Sequence, residues 1–318
     1  MSDAVDAAAT GTVNARRSIG VLGTGAVGVS VAVSVLHAGF VGEVLLVDQR
    51  RDVAEGEAMD LAHGAAFYPA ATVRAATLDE LLDTDAIVLS AGRGGRPGES
   101  RLDLLRENAA TLGGIAERLR GYRGLVVVVS NPVDVLTYVV TERSALPPER
   151  VIGTGTALDT ARLRQVVGAE LGVDARSVHA QVVGEHGDSE VVLWSGADAG
   201  GRPIREWPGW TAEREAAITD EVRCAAYEII RRKGATNHAI GLVTAAVLRS
   251  VLRDERRVLT VSRVQEEALG FGRVALSMPT VLDARGAIVV VAPTMDAGER
   301  AAVARSAEVL RAAIQSLM

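Results

Sequence analysis

A histidine between two glycines is the residue of this chain best suited to acid and base chemistry. His186 lies in Gly184-Glu185-His186-Gly187-Asp188-Ser189, directly after the apolar run 178–183, so a strand that ends there would present the imidazole at its tip. The glycines allow a sharp turn and a close ligand, and an imidazole has an ordinary pKa of about 6.5. Taken alone, the segment is more simply explained as a turn with a surface histidine. A catalytic role for His186 therefore depends on which other residues accompany it.

A carboxylate and a guanidinium three residues apart form a second candidate group. Asp159 and Arg162 lie at the start of a predicted helix over residues 159–171 and share one of its faces. One element can thus offer a carboxylate to an imidazole and a guanidinium to the acid group of a substrate. A surface ion pair is the simpler alternative for an isolated Asp-x-x-Arg.

A glycine-rich loop near the start of the chain predicts a dinucleotide site. Gly23-Thr24-Gly25-Ala26-Val27-Gly28 follows a predicted strand at 19–22 and opens a helical pattern, and Asp48 ends the next strand 20 residues after Gly28. Strand, glycine turn, helix and terminal acid together form the dinucleotide fingerprint. Asp48 would repel a 2′-phosphate, which favours NAD, although Arg50 and Arg51 follow closely and could accept one. The predicted cofactor-binding residues are Gly23, Gly25, Ala26, Val27, Gly28, Asp48 and Asn131.

Hydride transfer between an alcohol and nicotinamide also needs a clamp for the substrate and donors that polarise its carbonyl group. Asn131 ends a predicted strand at 125–130, where parallel sheets bind ligands. Arg101 follows a glycine-rich stretch that we expect to close over the reaction as a lid.

The elements that position these residues alternate between strands and helices. Predicted strands at 19–22, 44–47, 86–90, 125–130 and 151–152 are continuous apolar runs, separated by amphipathic segments such as 103–120. This pattern predicts an α/β fold, a Rossmann-type doubly wound parallel sheet over residues 18–155. We expect residues 1–17 to be a disordered leader.

The second half, residues 156–318, predicts an α+β catalytic domain. Besides the helix at 159–171 and the strand before His186, it contains helical patterns at 211–233, 239–253 and 297–318, with Asp296 as an N-cap, and strands at 273–278 and 287–292. Without a low-complexity linker, we expect the two domains to share a broad interface.

Composition excludes several classes of function. The net charge of −6 argues against nucleic acid as a partner, and the chain has no apolar run long enough to span a bilayer. A single cysteine, Cys224, excludes an intramolecular disulfide framework, so we expect a cytoplasmic protein.

These residues and motifs together resemble the NAD-dependent L-lactate dehydrogenases of the lactate/malate dehydrogenase superfamily, over essentially the whole chain after residue 18. The resemblance is carried by seven motifs in order: 23–28 (GTGAVG), 56–61 (GEAMDL), 98–102 (GESRL), 130–134 (SNPVD), 158–162 (LDTAR), 184–189 (GEHGDS) and 233–236 (KGAT).

The resemblance implies a role for each candidate in converting an L-2-hydroxy acid to a 2-oxo acid. His186 would donate and accept the proton, Asp159 would orient it, and Arg162 would bind the substrate carboxylate. Arg101 would polarise the carbonyl group, and Asn131 would support its oxygen. A sixth residue, Thr236, matches a pocket-wall position of the lactate-type enzymes.

One position departs from the pattern and leaves the substrate open. Gly95 stands where lactate dehydrogenases carry Gln and malate dehydrogenases carry Arg. The space could admit a larger monocarboxylate, Arg96 could enter it to bind oxaloacetate, or pyruvate could remain the best substrate at reduced efficiency. Thr236 favours a monocarboxylate. His238, where relatives often have an aromatic residue, is either a second change near the pocket or a histidine packed in the core.

The resemblance also raises the question of regulation and assembly. Arg164 and His179 fall where bacterial relatives activated by fructose 1,6-bisphosphate bind this allosteric effector between subunits, although both are equally well explained as surface residues. Relatives imply a homo-oligomer, most simply a homotetramer.

Two other classes of protein fit these residues less well. A catalytically silent dinucleotide-binding module is disfavoured by the complete catalytic set. An NAD-dependent glycosidase would need a metal held by cysteine and histidine, and Cys224 has no histidine at ligand spacing. We therefore expect no metal site.

Overall fold

The computed structural model describes residues 17–94, 101–266 and 270–317. Residues 1–16, which include nearly all of the predicted leader, lie outside this description, as do Gly95 and Arg96. Arg101 is described by its backbone alone.

The first half forms a parallel sheet of six strands in the order β3-β2-β1-β4-β5-β6. Its strands are β1 (Ser18–Leu22), β2 (Glu43–Val47), β3 (Thr72–Ala75), β4 (Ala86–Leu89), β5 (Leu125–Val128) and β6 (Val151–Gly153). Its helices are α1 (Ala26–Ala38), α2 (Arg51–His63), α3 (Leu78–Leu81), α4 (Arg101–Arg118) and α5 (Val133–Ser144). The predicted doubly wound sheet is confirmed. Strand β3 is missing from the sequence prediction because it is a half-exposed edge strand without a continuous apolar run.

The second half adds three antiparallel strands to the same sheet, which has nine strands within the described part of the chain. Its helices are α6 (Ala157–Leu171), α7 (Ala212–Lys233), α8 (His238–Leu252) and α9 (Ala297–Gln315). Its long strands are β12 (Arg257–Gln265), β13 (Val274–Asp283) and β14 (Gly286–Val290). Five short strands complete it: β7 (Val178–His179), β8 (Val182–Val183), β9 (Val191–Val192), β10 (Asp198–Ala199) and β11 (Arg202–Pro203).

The apolar run before His186 does not form one strand, as the sequence had suggested. It divides into β7 and β8, which pair with different partners, β10 and β9. Gly184 has a φ of +93° and forms an isolated bridge with Ser277 of β13. The backbone therefore turns away from the strand direction before it reaches His186, and the histidine lies in an irregular segment anchored to the large sheet.

Helices α1 and α8 join the two halves. A Cβ atom on Gly241 of α8 would lie 2.5 Å from the carbonyl oxygen of Ser30 on α1, so only glycine permits this backbone approach. Apolar residues of α8, including Val247 and Leu248, are fully buried in the same core cluster as Val31 and Val35 of α1. The helix that follows the glycine loop is thus packed directly against the second half.

Among the described residues, every helix is too short or too polar to cross a lipid bilayer.

Candidate active site

At each of the three glycines in the loop between β1 and α1, a side chain would meet different surroundings. Gly23 has a φ of +98°, and a Cβ atom on it would lie 2.7 Å from the backbone nitrogen of Ala91. A Cβ atom on Gly28 would lie 1.9 Å from the carbonyl oxygen of Gly23. Gly25, the N-cap of α1, faces open space within 4 Å. The loop therefore packs tightly on the protein side and leaves the helix N-terminus accessible, as the binding of a pyrophosphate requires.

Asp48 lies at the end of β2 and bonds to this loop. Its Oδ2 accepts hydrogen bonds from the backbone nitrogen of Thr24 at 2.8 Å and from the Thr24 hydroxyl at 3.1 Å, while Oδ1 accepts from the backbone nitrogen of Arg50 at 3.0 Å. Burial alone would raise the pKa of Asp48, but these hydrogen bonds outweigh it and lower the pKa. An ionised carboxylate at this position suits ribose hydroxyls and repels a 2′-phosphate. Arg51 is mostly exposed and bonds to Glu55 instead.

A cleft of about 740 Å³ connects the glycine loop, Asp48 and the end of β4. Its lining includes Gly23, Gly25, Asp48, Ser90 and Asn108. A groove of this shape, with glycine backbone at one side and a ribose-binding acid at the other, fits NAD. Ala26 and Val27 begin α1 beside it.

His186, Asp159 and Arg162 form one hydrogen-bonded chain. The ring Nδ1 of His186 lies 2.6 Å from Asp159 Oδ2, and a terminal guanidinium nitrogen of Arg162 donates to Asp159 Oδ1 at 2.7 Å. Asp159 is 2% exposed, whereas the His186 side chain is 23% exposed. The buried carboxylate thus holds an imidazole that a ligand can reach, and the surface ion pair considered above is excluded.

The three groups shift one another's protonation. Burial would lower the pKa of His186, but the charge and the hydrogen bond of Asp159 outweigh it and raise the pKa to about 9. Burial would likewise raise the pKa of Asp159, but His186 and Arg162 lower it. The imidazole is therefore held as a proton donor and the carboxylate as an anion.

Asp134 fixes the backbone of His186 and is a site residue that the sequence did not single out. Its Oδ2 accepts from the backbone nitrogen of His186 at 2.7 Å, and its Oδ1 accepts from the hydroxyl of Ser277 at 3.1 Å. Asp134 is fully buried on α5, and this burial raises its pKa. The motif that contains Asn131 also contains Asp134, but only its burial could have shown that it faces the histidine.

Asn131 lies at the carboxyl end of the parallel sheet, beside the cleft. Its Oδ1 accepts from the backbone nitrogen of Val133 at 3.2 Å, at the first turn of α5. Its carbonyl oxygen accepts from the side chain of Asn108 at 2.9 Å. The side chain of Asn108 also accepts from the backbone nitrogen of Arg93 and donates to its carbonyl oxygen, both at 3.1 Å. Asn108 therefore fixes the loop after β4 and the loop after β5.

The structure locates the remaining predicted residues to different extents. Thr236 lies in the connection between α7 and α8. Further back, on α7 itself, the hydroxyl of Tyr227 donates to Asp188 at 2.7 Å and joins this helix to the His186 segment. His238 begins α8 and is exposed. Gly95, Arg96 and the side chain of Arg101 lie outside the described residues. Within the described residues, no cluster of three or more His, Cys, Asp or Glu side chains is arranged to hold a metal.

Arg164 and His179 come together in a separate cleft of about 230 Å³. The guanidinium of Arg164 donates to the carbonyl oxygen of Ala180 at 3.0 Å, and burial lowers its pKa. Gln181 and Thr294 also line this cleft.

Comparisons with known proteins agree with this arrangement. The family model described as the NAD binding domain of lactate/malate dehydrogenase matches residues 17–153, and the model of the α/β C-terminal domain of the same family matches residues 156–318. An L-lactate dehydrogenase of Salinibacter ruber is 45% identical, covering 93% of this chain and 96% of that protein. An L-lactate dehydrogenase of Kosmotoga olearia is 42% identical, covering 94% and 96%.

A solved structure shows the same fold. The minor L-lactate dehydrogenase of Enterococcus mundtii, crystallised in a form with bound ligands, superposes with a TM-score of 0.91 at 37% identity, covering 95% of this chain and 99% of that one. Both family models match in order over most of the chain, and the chain therefore belongs to the lactate/malate dehydrogenase family and is an NAD-dependent oxidoreductase.

Proposed function

We propose that the protein is an L-lactate dehydrogenase, which interconverts (S)-lactate, or a somewhat larger L-2-hydroxy monocarboxylate, with the corresponding 2-oxo acid. The observation that carries this proposal is the hydrogen-bonded chain of Arg162, Asp159 and His186. It combines a carboxylate clamp with a proton donor, as a 2-oxo acid requires. The names of the relatives support the lactate-type reaction.

In the reductive direction, His186 donates its proton to the carbonyl oxygen of the substrate, which becomes the hydroxyl group. NADH, held by the glycine loop and Asp48, would supply the hydride for the carbonyl carbon. Asp159 holds the ring in position and stabilises the imidazolium, because it accepts from Nδ1 and leaves Nε2 to face the substrate. In the oxidative direction, His186 takes the proton back.

Substrate binding falls to Arg162, supported by other residues. One terminal nitrogen of Arg162 bonds to Asp159, and the guanidinium retains further N–H donors for the substrate carboxylate. In this proposal Arg101 polarises the carbonyl group, Asn131 supports its oxygen, and Thr236 and Gly95 border the substrate side chain.

A comparison of substrates tests the proposal. Purified protein with NADH should reduce pyruvate or 2-oxobutyrate with a higher kcat/KM than oxaloacetate, because a glycine at residue 95 supplies no cation for a second carboxylate. Phenylpyruvate measures how large a side chain the pocket admits. A preference for oxaloacetate by about a hundredfold, which would implicate Arg96, contradicts the proposal.

Substitution of the histidine tests the mechanism separately. His186→Asn should abolish turnover and retain NADH binding, because the ring lies outside the glycine loop and Asp48. His63→Asn, an exposed histidine at the end of α2, is the matched control and should leave turnover unchanged. Full turnover in His186→Asn would overturn the assignment.

We also propose that the cleft of Arg164 and His179 binds an anionic effector such as fructose 1,6-bisphosphate at a subunit interface. The support is that both cation-forming side chains border one cleft. Millimolar fructose 1,6-bisphosphate should then lower the pyruvate concentration needed for half-saturation, and Arg164→Gln should abolish this effect. Unchanged saturation and oligomer distribution would refute the effector.

A homotetramer in the cytoplasm is the assembly and location that we propose with this function. Light scattering on the eluting protein measures the assembly, and a monomer at micromolar concentration would contradict it.

A further inference from the structure

The turn that carries His186 is held by a different element at each of three successive backbone amides. The amide nitrogen of Gly184 donates to a carbonyl oxygen of β13 at 2.9 Å, and that of His186 donates to Asp134 on α5 at 2.7 Å. Between them, the amide nitrogen of Glu185 donates to the hydroxyl oxygen of Ser306 on α9 at 2.8 Å. Ser306 is fully buried and lies 121 residues along the chain from Glu185. It has no part in the mechanism proposed above.

Ser306 directs its hydroxyl differently from four other buried hydroxyls within helices. Those four donate to the carbonyl oxygen four residues earlier in their own helix: Thr137, Thr141, Thr244 and Ser250. Within the described residues, Ser306 forms no such bond and contacts the His186 turn instead. Serine is a weak helix former, and a buried hydroxyl costs free energy unless it is hydrogen-bonded. The turn that Ser306 contacts therefore explains this residue better than the helix that contains it.

Ser306 also closes a ring of hydrogen bonds that begins and ends on Glu185. The hydroxyl of Ser189 donates to Oε2 of Glu185 at 2.5 Å, and the hydroxyl oxygens of Ser189 and Ser306 lie 2.9 Å apart. Because Ser189 has a single hydroxyl proton and gives it to Glu185, Ser306 donates its own proton to Ser189. The ring thus contains the Glu185 amide, both hydroxyls and the Glu185 carboxyl group. It includes residues on both sides of His186.

The helix that carries Ser306 is packed firmly against the start of the turn. A Cβ atom on Gly184 would lie 2.8 Å from the hydroxyl oxygen of Ser306, so the backbone approaches this hydroxyl closely. Val183, directly before the turn, is fully buried in one core cluster with Val303 and Ala307 of α9. Apolar packing therefore fixes the position from which Ser306 accepts the amide proton.

We propose that Ser306 is a positioning residue of the active site, which holds the turn so that His186 keeps its hydrogen bond to Asp159 while Nε2 faces the substrate. The inference rests on the proposed function, because it takes His186 as the proton donor. Proton transfer requires the ring to lie within hydrogen-bond distance of the carbonyl oxygen, and a displacement on the order of 1 Å costs about a hundredfold in rate. In this proposal Ser306 touches neither substrate nor cofactor and acts only through the turn.

The variant Ser306→Ala tests this role, because alanine suits a helix at least as well as serine but leaves the amide of Glu185 without its acceptor. We expect kcat for pyruvate, or for whichever 2-oxo acid the protein reduces best, to fall about tenfold or more. The dissociation constant of NADH should stay within about twofold, since the cofactor cleft lies outside the turn.

Ser250→Ala is the matched control. Ser250 is also a fully buried serine within a helix, but its hydroxyl bonds to its own helix α8, so its loss should leave kcat unchanged. A kcat of Ser306→Ala within about twofold of the wild type, or an equal loss in Ser250→Ala, overturns the proposal. So does a loss of NADH affinity as large as the loss of kcat, because Ser306 would then support the fold in general.

Hydrogen exchange measured by mass spectrometry tests the positioning without any turnover. In the full chain without substrate or cofactor, peptides that cover residues 182–190 should exchange faster in Ser306→Ala than in the wild type, and at the wild-type rate in Ser250→Ala. Unchanged exchange in Ser306→Ala contradicts the proposal. If exchange rises there but the wild type reduces no 2-oxo acid, the failure lies in the proposed function and not in the contact of Ser306 with the turn.

Ser189→Ala keeps the proposal testable if Ser306→Ala does not fold. Ser189 is only half-buried, so its variant opens the ring and leaves the core intact. We expect kcat to fall about threefold or more with NADH binding unchanged, because the bond from the Glu185 amide to Ser306 remains. Where both variants fold, the double variant should be as slow as Ser306→Ala within about twofold, since both hydroxyls belong to one ring. Full kcat in Ser189→Ala, or losses that multiply in the double variant, would refute the ring.

Discussion

At the scale of single residues, the hydrogen bond between His186 and Asp159 determines how the rates of reduction and oxidation depend on pH. Reduction of a 2-oxo acid needs the protonated ring, and the pKa of His186 is raised to about 9 by Asp159 against the effect of burial. We therefore expect kcat/KM for pyruvate to be level near neutral pH and to fall as the pH rises through about 9. Over the same range, kcat/KM for lactate should rise. Steady-state rates in both directions check this. If kcat/KM for pyruvate already declined at pH values below 7 as the pH rises, the expectation would be contradicted.

The same pair sets a pH dependence of stability. Because the folded pKa of His186 lies above its ordinary value of 6.5, its contribution to stability is complete below about 6.5 and is lost as the pH rises through about 9. For Asp159 the folded pKa is lowered, so its contribution is present above the ordinary value of 3.8 and is lost under more acidic conditions.

Asp159→Asn should lower kcat for pyruvate reduction by a factor on the order of a hundred to a thousand, because an amide stabilises the imidazolium poorly and no longer pairs with Arg162. It should also move the fall of the reductive pH profile to lower pH. Glu170→Gln is the matched control on α6, since Glu170 is exposed and lies 3.6 Å from Arg214 in a surface pair. Equal rates for Asp159→Asn and Glu170→Gln would remove Asp159 from the mechanism.

At the scale of elements, the start of helix α1 must both pack closely on the protein and leave room for the cofactor. Gly28 serves the first requirement and Gly25 the second. A methyl group on Gly28 would collide with the carbonyl oxygen of Gly23, whereas a methyl group on Gly25 would enter open space. We expect Gly28→Ala to destabilise the protein by about 1–3 kcal/mol. We expect Gly25→Ala to fold normally and to bind NADH about tenfold more weakly, because its methyl group stands where the pyrophosphate approaches the helix.

Thermal unfolding and NADH fluorescence titration measure the two effects independently, and each glycine variant serves as the control for the other. Tight NADH binding by a stable Gly25→Ala would show that the pyrophosphate does not lie against α1.

Helix α5 connects the cofactor cleft with the segment that carries His186. Its start lies beside Asn131 at the cleft, and its first turn carries Asp134, which holds the backbone of His186. The peptide bond between Asn131 and Pro132 is cis. A single element therefore sets the distance between the cofactor side and the histidine, which hydride transfer requires to be constant.

At the scale of the whole molecule, the two halves that we propose as domains, residues 18–155 and 156–318, share one sheet and one core. Ser262 of β12 pairs with Gly153 of β6, and a Cβ atom on Gly153 would lie 3.0 Å from the Cβ atom of Ser262. Since α8 also packs on α1, neither half can lose its structure without exposing apolar surface of the other.

We therefore expect the protein to unfold in one cooperative step. All three tryptophans, Trp194, Trp207 and Trp210, lie in the second half, so their fluorescence reports that half alone, whereas far-ultraviolet circular dichroism reports both. The two denaturation curves in urea should coincide. Curves with separate midpoints would show that the halves unfold independently.

Short-range patterns account for what the sequence alone determined. The glycine loop with Asp48, the parallel strands, the shared helical face of Asp159 and Arg162, and the histidine between glycines are all visible because each depends on the spacing of neighbours within one strand, turn or helix. The family resemblance added roles, and the fold and the cofactor were predicted correctly from these motifs.

Tertiary structure decided which of these groups touch. His186 lies 27 residues from Asp159 and 52 from Asp134, and these contacts form only because β8, α5 and α6 converge on the end of one sheet. The split of the apolar run into β7 and β8 and the burial of Asp134 likewise depend on which surfaces meet. Periodicity fixes which side of its own element a residue occupies, but burial, and with it the protonation of His186, depends on what other elements bring against that side.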